Sequence, residues 1–349
     1  MSDISKIDRN FDVKTSLPID NLKFYSTLEE PFKVYGVFYE NGCFRRLPEK
    51  VAQSVSEGVY RLHTNCAGGR VKFVTDSDFV VVKVFLNSAG KMPHFPLTGS
   101  VGLDMYVGKK EEYYRSFIPP FDVTDQFESI QYFDSRKKRE ITINLPLYSG
   151  ISQLYIGLNE DAVVLKADDY RHKKPIVFYG SSITQGGCAS RPGNSYQSIA
   201  CRQLQSDHVN LGFSGNAKAE DEIANYIKNL DMSVFVYDYD HNAPNKEHLS
   251  ATHQKMFNVI RKANPNLPIV IMSRPKYRPT EEEKARLEII RKTYNDAIAS
   301  GDKNVYLIEG KELMKYAKNN GTVDNCHPND LGFYSMAKVV AKQLKEILK

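Results

Sequence analysis

Near residue 170 the apolar residues change their period, and that change constrains the fold more than any other feature of the chain. From about 32 to 167 they fall into short runs: 34–39, 60–63, 71–75, 79–86, 101–107, 113–118, 140–145 and 153–158. The runs Ile141-Thr-Ile-Asn-Leu145 and Leu154-Tyr-Ile-Gly-Leu158 alternate with the period of two that a half-buried strand shows. Asn41-Gly42, Gly68-Gly69 and Ser149-Gly150 punctuate them as turns, and no long amphipathic helix interrupts them. The pattern predicts an antiparallel β-sandwich, jelly-roll-like, over residues 1–170.

After the polar stretch 168–174, short apolar strands at 176–179, 209–213, 234–239, 269–272 and 305–308 alternate with helical patterns at 195–205, 221–230, 246–263, 280–300 and 328–348. The last helix sets Leu331, Met336, Val339, Val340, Leu344 and Ile347 roughly on one stripe. Alternation of this kind means βαβ units. Residues 171–349 are therefore expected to form a three-layer α/β/α domain on a five-stranded parallel sheet. Sheets of this type bind ligands at the carboxyl ends of their strands, so the chemistry is sought there.

Several function classes fall away on composition. A net charge of +5 is small for 349 residues, and the basic residues are interspersed with acids, so nucleic acid is not expected as a partner. No window approaches about 18 uninterrupted apolar residues, so no membrane span is expected. Residues 1–10 contain no apolar run of the kind a secretory signal carries. The five cysteines, Cys43, Cys66, Cys188, Cys201 and Cys326, are odd in number and include no C-x-x-C pair. Free thiols and a cytoplasmic location are the corresponding expectations.

The first strand of the second half runs into Gly180-Ser-Ser-Ile-Thr-Gln-Gly-Gly187, where a glycine permits a sharp turn that exposes the hydroxyl of Ser182. The loop matches neither phosphate-binding pattern, G-x-x-x-x-G-K-[ST] or G-x-G-x-x-G. The far end reads Asp324-Asn-Cys-His-Pro-Asn-Asp-Leu-Gly332. Pro328 disfavours helical geometry at His327 and suits the first position of a helix, which places His327 in the preceding loop. Asp324, three residues earlier, can fold back onto the imidazole and hold its tautomer, so one short loop supplies a base and its orienter. The second strand ends in Asn210-Leu-Gly-Phe-Ser-Gly-Asn216, where Gly215 can present a bare N–H. The third ends in Tyr237-Asp-Tyr-Asp-His-Asn-Ala-Pro244, where Asn242 can present an amide. Both are candidate donors to an oxyanion, along with the N–H of Ser182.

These four stretches, in this order, resemble the SGNH (GDSL-type) hydrolase family. Gly180-Ser-Ser-Ile183 matches its first block, Gly215 the glycine of its second, Asn242 the asparagine of its third, and Asp324-x-x-His327 its last. The resemblance covers about residues 174–349, and the preceding sandwich is similar to the β-rich N-terminal domain of a subset often regarded as carbohydrate esterases. It implies a flavodoxin-like α/β fold and ester hydrolysis by Ser182, His327 and Asp324. It also implies an oxyanion hole from Ser182, Gly215 and Asn242, with no metal or organic cofactor. Two departures stand out. Ser181 replaces the usual Asp and Ile183 the usual Leu, and the third block reads Asp240-His-Asn-Ala243 in place of Gly-x-Asn-Asp.

Other chemistries are weaker. An α/β-hydrolase elbow needs G-x-S-x-G, and Thr184 occupies its last position. Cys326 adjoins His327 but points away from it in an extended loop, and Cys188 is expected to line or pack the pocket. Metal hydrolysis through Asp238, Asp240, His241 and His327 lacks zincin spacing. His241 is expected to shape the pocket, and Arg274 either meets a polar or anionic part of the substrate or stands solvated or ion-paired. A non-catalytic carbohydrate-binding protein is the reading from another class. The absence of tryptophan, the commonest platform for stacking sugars, argues against it, although 21 Tyr and 18 Phe could stand in. The expectation is a serine esterase acting on a small acyl ester, acetyl above all, of a small molecule or oligosaccharide. A non-sugar ester or thioester is the variant of that reading. The pattern is compatible with a homo-oligomer and specifies none.

Overall fold

A computed structural model describes residues 13–349; residues 1–10, read above for a secretory signal, lie outside the described residues. The N-terminal half is a sandwich of two antiparallel sheets. One has the strand order Leu22–Ser26, Gly150–Asn159, Phe79–Ser88, Gln126–Tyr132. The other runs Val164–Leu165, Arg70–Thr75, Arg139–Asn144, Leu103–Val107, Glu112–Phe117, with Lys33–Tyr35 also pairing with Arg70–Thr75. The inward residues of both sheets, among them Val71, Phe73, Val80, Val82, Val84, Ile141 and Ile143, form one core from which water is excluded.

Three sequence expectations are corrected here, and one strand was missed. Residues 60–63 are not a strand: Tyr60 lies in the helix Glu57–Leu62, whose first turn is capped by Ser56 Oγ accepting from Val59 N. The span 34–39 breaks at Gly36, which adopts φ +73°, into Lys33–Tyr35 and Phe38–Glu40. The second piece forms a hairpin with Cys43–Arg45 across Asn41-Gly42, both at positive φ as a two-residue hairpin turn requires. The span 101–107 begins as strand only at Leu103, after the short helix Leu97–Ser100. The strand Gln126–Tyr132 had no expectation, because its polar residues mask the alternation at an edge position.

In the second half the expected five-stranded parallel sheet is present, formed by β1 (His172–Gly180), β2 (Ser206–Gly212), β3 (Val234–Asp238), β4 (Ile269–Met272) and β5 (Val305–Ile308). Its order is β2-β1-β3-β4-β5, so the chain reverses its direction of winding beside β1. Alternate residues of β1 serve opposite faces. Ile176 and Phe178 pack with Ile199, Met336 and Val340 from the helices Tyr196–Leu204 and Asp330–Ile347. Val177 and Tyr179 pack with Ile223, Leu249, Met256 and Ile290 from the three helices of the other face.

The two halves share apolar and polar contacts. Ala67, Phe95, Leu147 and Tyr148 of the N-terminal half belong to the same apolar cluster as β1 and the last helix. Arg46, almost fully buried, donates to the carbonyl oxygens of Asn210 (3.0 Å) and Gly212 (2.6 Å) in β2, and to that of Asn65 at 2.7 Å. Burial pulls its guanidinium down to about 10, but it remains the cation that satisfies those carbonyls. No helix among the described residues is long and apolar enough to cross a membrane. All five cysteines are unpaired.

Candidate active site

Register places the site. Gly180 at the end of β1 pairs with Gly212 of β2 on one side and Asp238 of β3 on the other. The loops that carry Ser182, Gly215 and Asn242 therefore leave the sheet from one row. Gly180 is required for this closeness: a Cβ there would stand 1.9 Å from the Asp238 carbonyl oxygen and 2.3 Å from Thr184 Oγ1. Ser181 N–H donates to the same Asp238 carbonyl at 3.1 Å, and Ser181 Oγ accepts from Ile183 N at 3.2 Å as the cap of the single turn Ser182–Gln185. Serine thus supplies the cap at the position where the family usually has Asp.

The turn is held from beneath. Thr184 Oγ1 donates to Asp238 Oδ2 at 3.1 Å, while Gln197 and Asn210 both donate to the Thr184 carbonyl. Burial pushes the Asp238 carboxyl up to about 7, opposed by the Thr184 hydroxyl and reinforced by the charge of Asp240. Gln185 ties two segments together, donating to the Leu147 carbonyl at 3.2 Å and accepting from Ser214 N at 2.9 Å. Tyr148 of the sandwich donates its hydroxyl to the Ser182 carbonyl at 3.2 Å.

Ser182 Oγ lies 3.0 Å from His327 Nε2, across 145 positions of sequence. His327 Nδ1 lies 2.7 Å from Asp324 Oδ2, and Asp324 Oδ1 accepts the backbone N–H groups of His327 (2.7 Å) and Cys326 (3.0 Å). Partial burial opposes ionisation of Asp324, but the bonds from the His327 ring, His327 N and Cys326 N outweigh it and hold the carboxyl down to about 2. Val323 N donates to the His327 carbonyl, and Asn325 takes the left-handed backbone (φ +64°) that asparagine tolerates, so the loop closes on itself. Lys276 Nζ, beyond β4, clamps the loop through Asn325 O and Oδ1. The helix that follows starts at Asp330 and not at Pro328. Asn329 is its cap, accepting from Gly332 N, and Pro328 instead forms a bridge with Thr322.

Among the described residues, the N–H groups of Ser182 and Gly215 and the side-chain Nδ2 of Asn242 donate no hydrogen bond, while Asn242 Oδ1 accepts from Ala217 N at 3.3 Å. Ser182 N–H opens a helical turn and so has no intrahelical acceptor. Gly215 adopts φ +71°. The departure at Asp240 has a structural cause. Arg286 Nε meets its Oδ1 at 2.7 Å, both side chains being almost fully buried, and Arg286 also donates to the Ala243 carbonyl. That pair fixes the turn Asp240–Asn242 that carries the asparagine.

The remaining candidates divide. Cys188 is buried beside the site, at φ +75°, with its thiol pushed up to about 12 by burial and by the Asp324 charge. His241 sits against Cys326 (Nδ1 to Sγ 3.6 Å). Burial, then the Arg274 and His327 charges, push its ring well below the usual histidine range, which leaves it neutral. Arg274 is ion-paired with Asp240 (3.7 Å) and Glu283 (3.6 Å), the solvated or paired alternative of the sequence reading. Sequence reasoning missed His94, whose ring centroid is 5.6 Å from that of His327, and Tyr148. Both come from the sandwich half. The only local signal for His94 was its position between Pro93 and Pro96 in a segment without strand alternation.

Comparison with known proteins agrees with this architecture. Residues 173–345 match the GDSL-like lipase/acylhydrolase family, and residues 22–164 match the N-terminal domain of SGNH hydrolase-type esterases. A structure assigned as a GDSL-like lipase from Bacteroides ovatus ATCC 8483 is 28% identical and superposes with a TM-score of 0.84, over 94% of this chain and 98% of that one. Two further structures share the fold over the same fractions. They are the salicylyl-acyltransferase SsfX3 from a tetracycline biosynthetic pathway (19%, TM-score 0.76) and the acetyl xylan esterase Est2A from the rumen bacterium Butyrivibrio proteoclasticus (12%, TM-score 0.59). No curated protein matches by sequence. Fold and family models together define an ester hydrolase. The chain belongs to the SGNH, or GDSL-like, hydrolase family, in the branch that carries the β-rich N-terminal domain.

Proposed function

We propose that this protein is a serine esterase that removes a small acyl group, acetyl above all, from a carbohydrate hydroxyl. The observation that carries the reading is the unbroken chain from Ser182 Oγ to His327 Nε2 at 3.0 Å and from His327 Nδ1 to Asp324 at 2.7 Å. In the proposed reaction His327 Nε2 takes the Ser182 proton as Oγ attacks the ester carbonyl. The oxyanion meets the N–H groups of Ser182 and Gly215 and the Asn242 amide, donors that need no reorganisation because they are not otherwise engaged. His327 returns the proton to the departing alcohol, then activates the water that cleaves the acyl-enzyme. Asp324 remains ionised throughout and stabilises the imidazolium. The sugar part of the reading is supported by the fold shared with carbohydrate esterases such as Est2A, and the small acyl part by the acetyl xylan activity in that protein's name.

The test is a panel of p-nitrophenyl esters of increasing chain length together with acetylated xylo-oligosaccharides, on wild type and Ser182→Ala. The expected result is a preference for acetate, release of acetate from the oligosaccharides, and loss of at least about a thousandfold in kcat in the variant. Equal rates from the two proteins would reject Ser182 as nucleophile. Preference for long acyl chains with no action on the oligosaccharides would reject the substrate class.

A further inference from the structure

We propose that His94, Cys188 and His327 Nε2 form a binding site for a thiophilic divalent cation, zinc in particular, which switches hydrolysis off by occupying the lone pair that Ser182 needs. The inhibition rests on the reading of His327 as the base; the binding site does not.

One ligating atom from each of the three residues lies within 4.8 Å of the other two. Tetrahedral zinc with bonds of 2.0–2.1 Å to nitrogen and 2.3 Å to sulfur needs ligand atoms roughly 3.3–3.6 Å apart, so the cluster must close by at most about 1.2–1.5 Å. The movable partner is His94, which is exposed, while Cys188 is buried and the His327 loop is clamped. The cation therefore enters from the His94 side.

A second observation points to the same chemistry. His327 is held by Asp324 through Nδ1 at 2.7 Å, which leaves Nε2, facing Ser182 Oγ at 3.0 Å, as the nitrogen whose lone pair a cation can take from the serine. A carboxylate that orients an imidazole in this way is the usual outer support of a zinc-ligating histidine. A third concerns Cys188, which holds a left-handed backbone (φ +75°) between Gly187 and Ala189, where glycine would be the least strained residue. The side chain at that strained position is a thiol whose sulfur belongs to the cluster. Two imidazoles and one thiolate select zinc or a similar ion over magnesium and calcium, which prefer oxygen. Binding forms two N–metal bonds and one S–metal bond and releases the Cys188 proton to solvent. Nothing is oxidised or reduced.

Two measurements on the full chain test this. Cobalt(II) serves as a spectroscopic substitute for zinc, and wild type and Ser182→Ala should both develop a thiolate-to-cobalt charge-transfer band that is absent in Cys188→Ser. Zinc chloride should inhibit wild-type hydrolysis of p-nitrophenyl acetate reversibly, with rescue by EDTA, and magnesium should not. His94→Ala, at an exposed position that does not endanger folding, should shift the zinc concentration for half-inhibition upward by about tenfold or more. Absence of the charge-transfer band in wild type, or equal zinc sensitivity in wild type and His94→Ala, overturns the proposal. A band in wild type without Ser182-dependent hydrolysis sustains the metal site while refuting the proposed reaction. Ser182-dependent hydrolysis without a band does the reverse.

Discussion

Asp324 holds His327 at two points: Oδ2 meets ring Nδ1 at 2.7 Å and Oδ1 meets the backbone N–H of the same residue at 2.7 Å. One carboxylate thus sets both the position of the histidine and the orientation of its ring. Asp324→Asn can keep the backbone bond but offers the ring the wrong partner or tautomer. The expected result is a loss of about 10²–10⁴ in kcat with a nearly unchanged melting temperature, because the carboxylate is partly exposed. A variant with more than a tenth of the wild-type kcat would show that Asp324 does not orient the base.

Asn242 keeps its Oδ1 on Ala217 N and leaves Nδ2 unspent. Asn242→Ala should therefore lower kcat by about 10²–10³, corresponding to the roughly 2.7–4 kcat-linked kcal/mol of one oxyanion donor, with KM changed little. Steady-state kinetics on p-nitrophenyl acetate decide it. An effect confined to KM would mean that the amide binds ground-state substrate and not the transition state.

The two glycines of the site should lose very different amounts of stability to the same methyl group. At Gly180 it would collide with backbone at 1.9 Å, and Gly180→Ala is expected to lose several kcal/mol of stability or fail to accumulate folded. At Gly215 a Cβ meets nothing within 4 Å, so Gly215→Ala costs only the strain of φ +71°, about 1–2 kcal/mol. Thermal denaturation of the pair checks this, and comparable losses in both would contradict the crowding at the end of β1.

Asp238 gives the stability a pH dependence of known sign. Its carboxyl is raised to about 7 by burial, against about 3.9 in an unfolded chain, so between those values the folded state binds the extra proton. Its stabilising contribution is complete below about pH 4 and is lost as pH rises through about 7. Asp238→Asn keeps an acceptor for Thr184 and has no proton to lose. The melting temperature of the variant relative to wild type should climb from about pH 4 to 7 and level off above. Parallel curves would show that Asp238 does not hold its proton.

Removing Arg286 should cost more than its single side chain suggests. Arg286→Met removes the close partner of the buried Asp240 carboxylate and leaves it only the longer contact with Arg274 at 3.7 Å. The expected loss is about 3–5 kcal/mol of stability by denaturant unfolding. A loss below about 1 kcal/mol would mean that water reaches Asp240.

Much of this was readable from local pattern. The five parallel strands and the helix Lys246–Ala263 fell where their apolar periods placed them, because burial on both faces leaves a β/α domain little freedom in pattern. The Asp324–His327 turn was readable for the same reason: its two side chains are neighbours in sequence. The sandwich was read less faithfully. Tyr60 turned up in a helix because a Ser56 cap and a Glu57 first turn outweighed a short apolar run. The edge strand Gln126–Tyr132 was hidden by its polar face.

By itself the sequence determined the two patterns of burial, the turn chemistry and the local motifs at each strand end, because those depend on residues within a few positions of one another. Only the tertiary structure decided that Ser182 Oγ and His327 Nε2 stand 3.0 Å apart, that Arg274 is ion-paired with Asp240 and Glu283, and that the sandwich brings His94 and Tyr148 to the site. Such contacts join segments far apart in the chain, and their distances follow from how the sheets and helices pack, which no local period encodes.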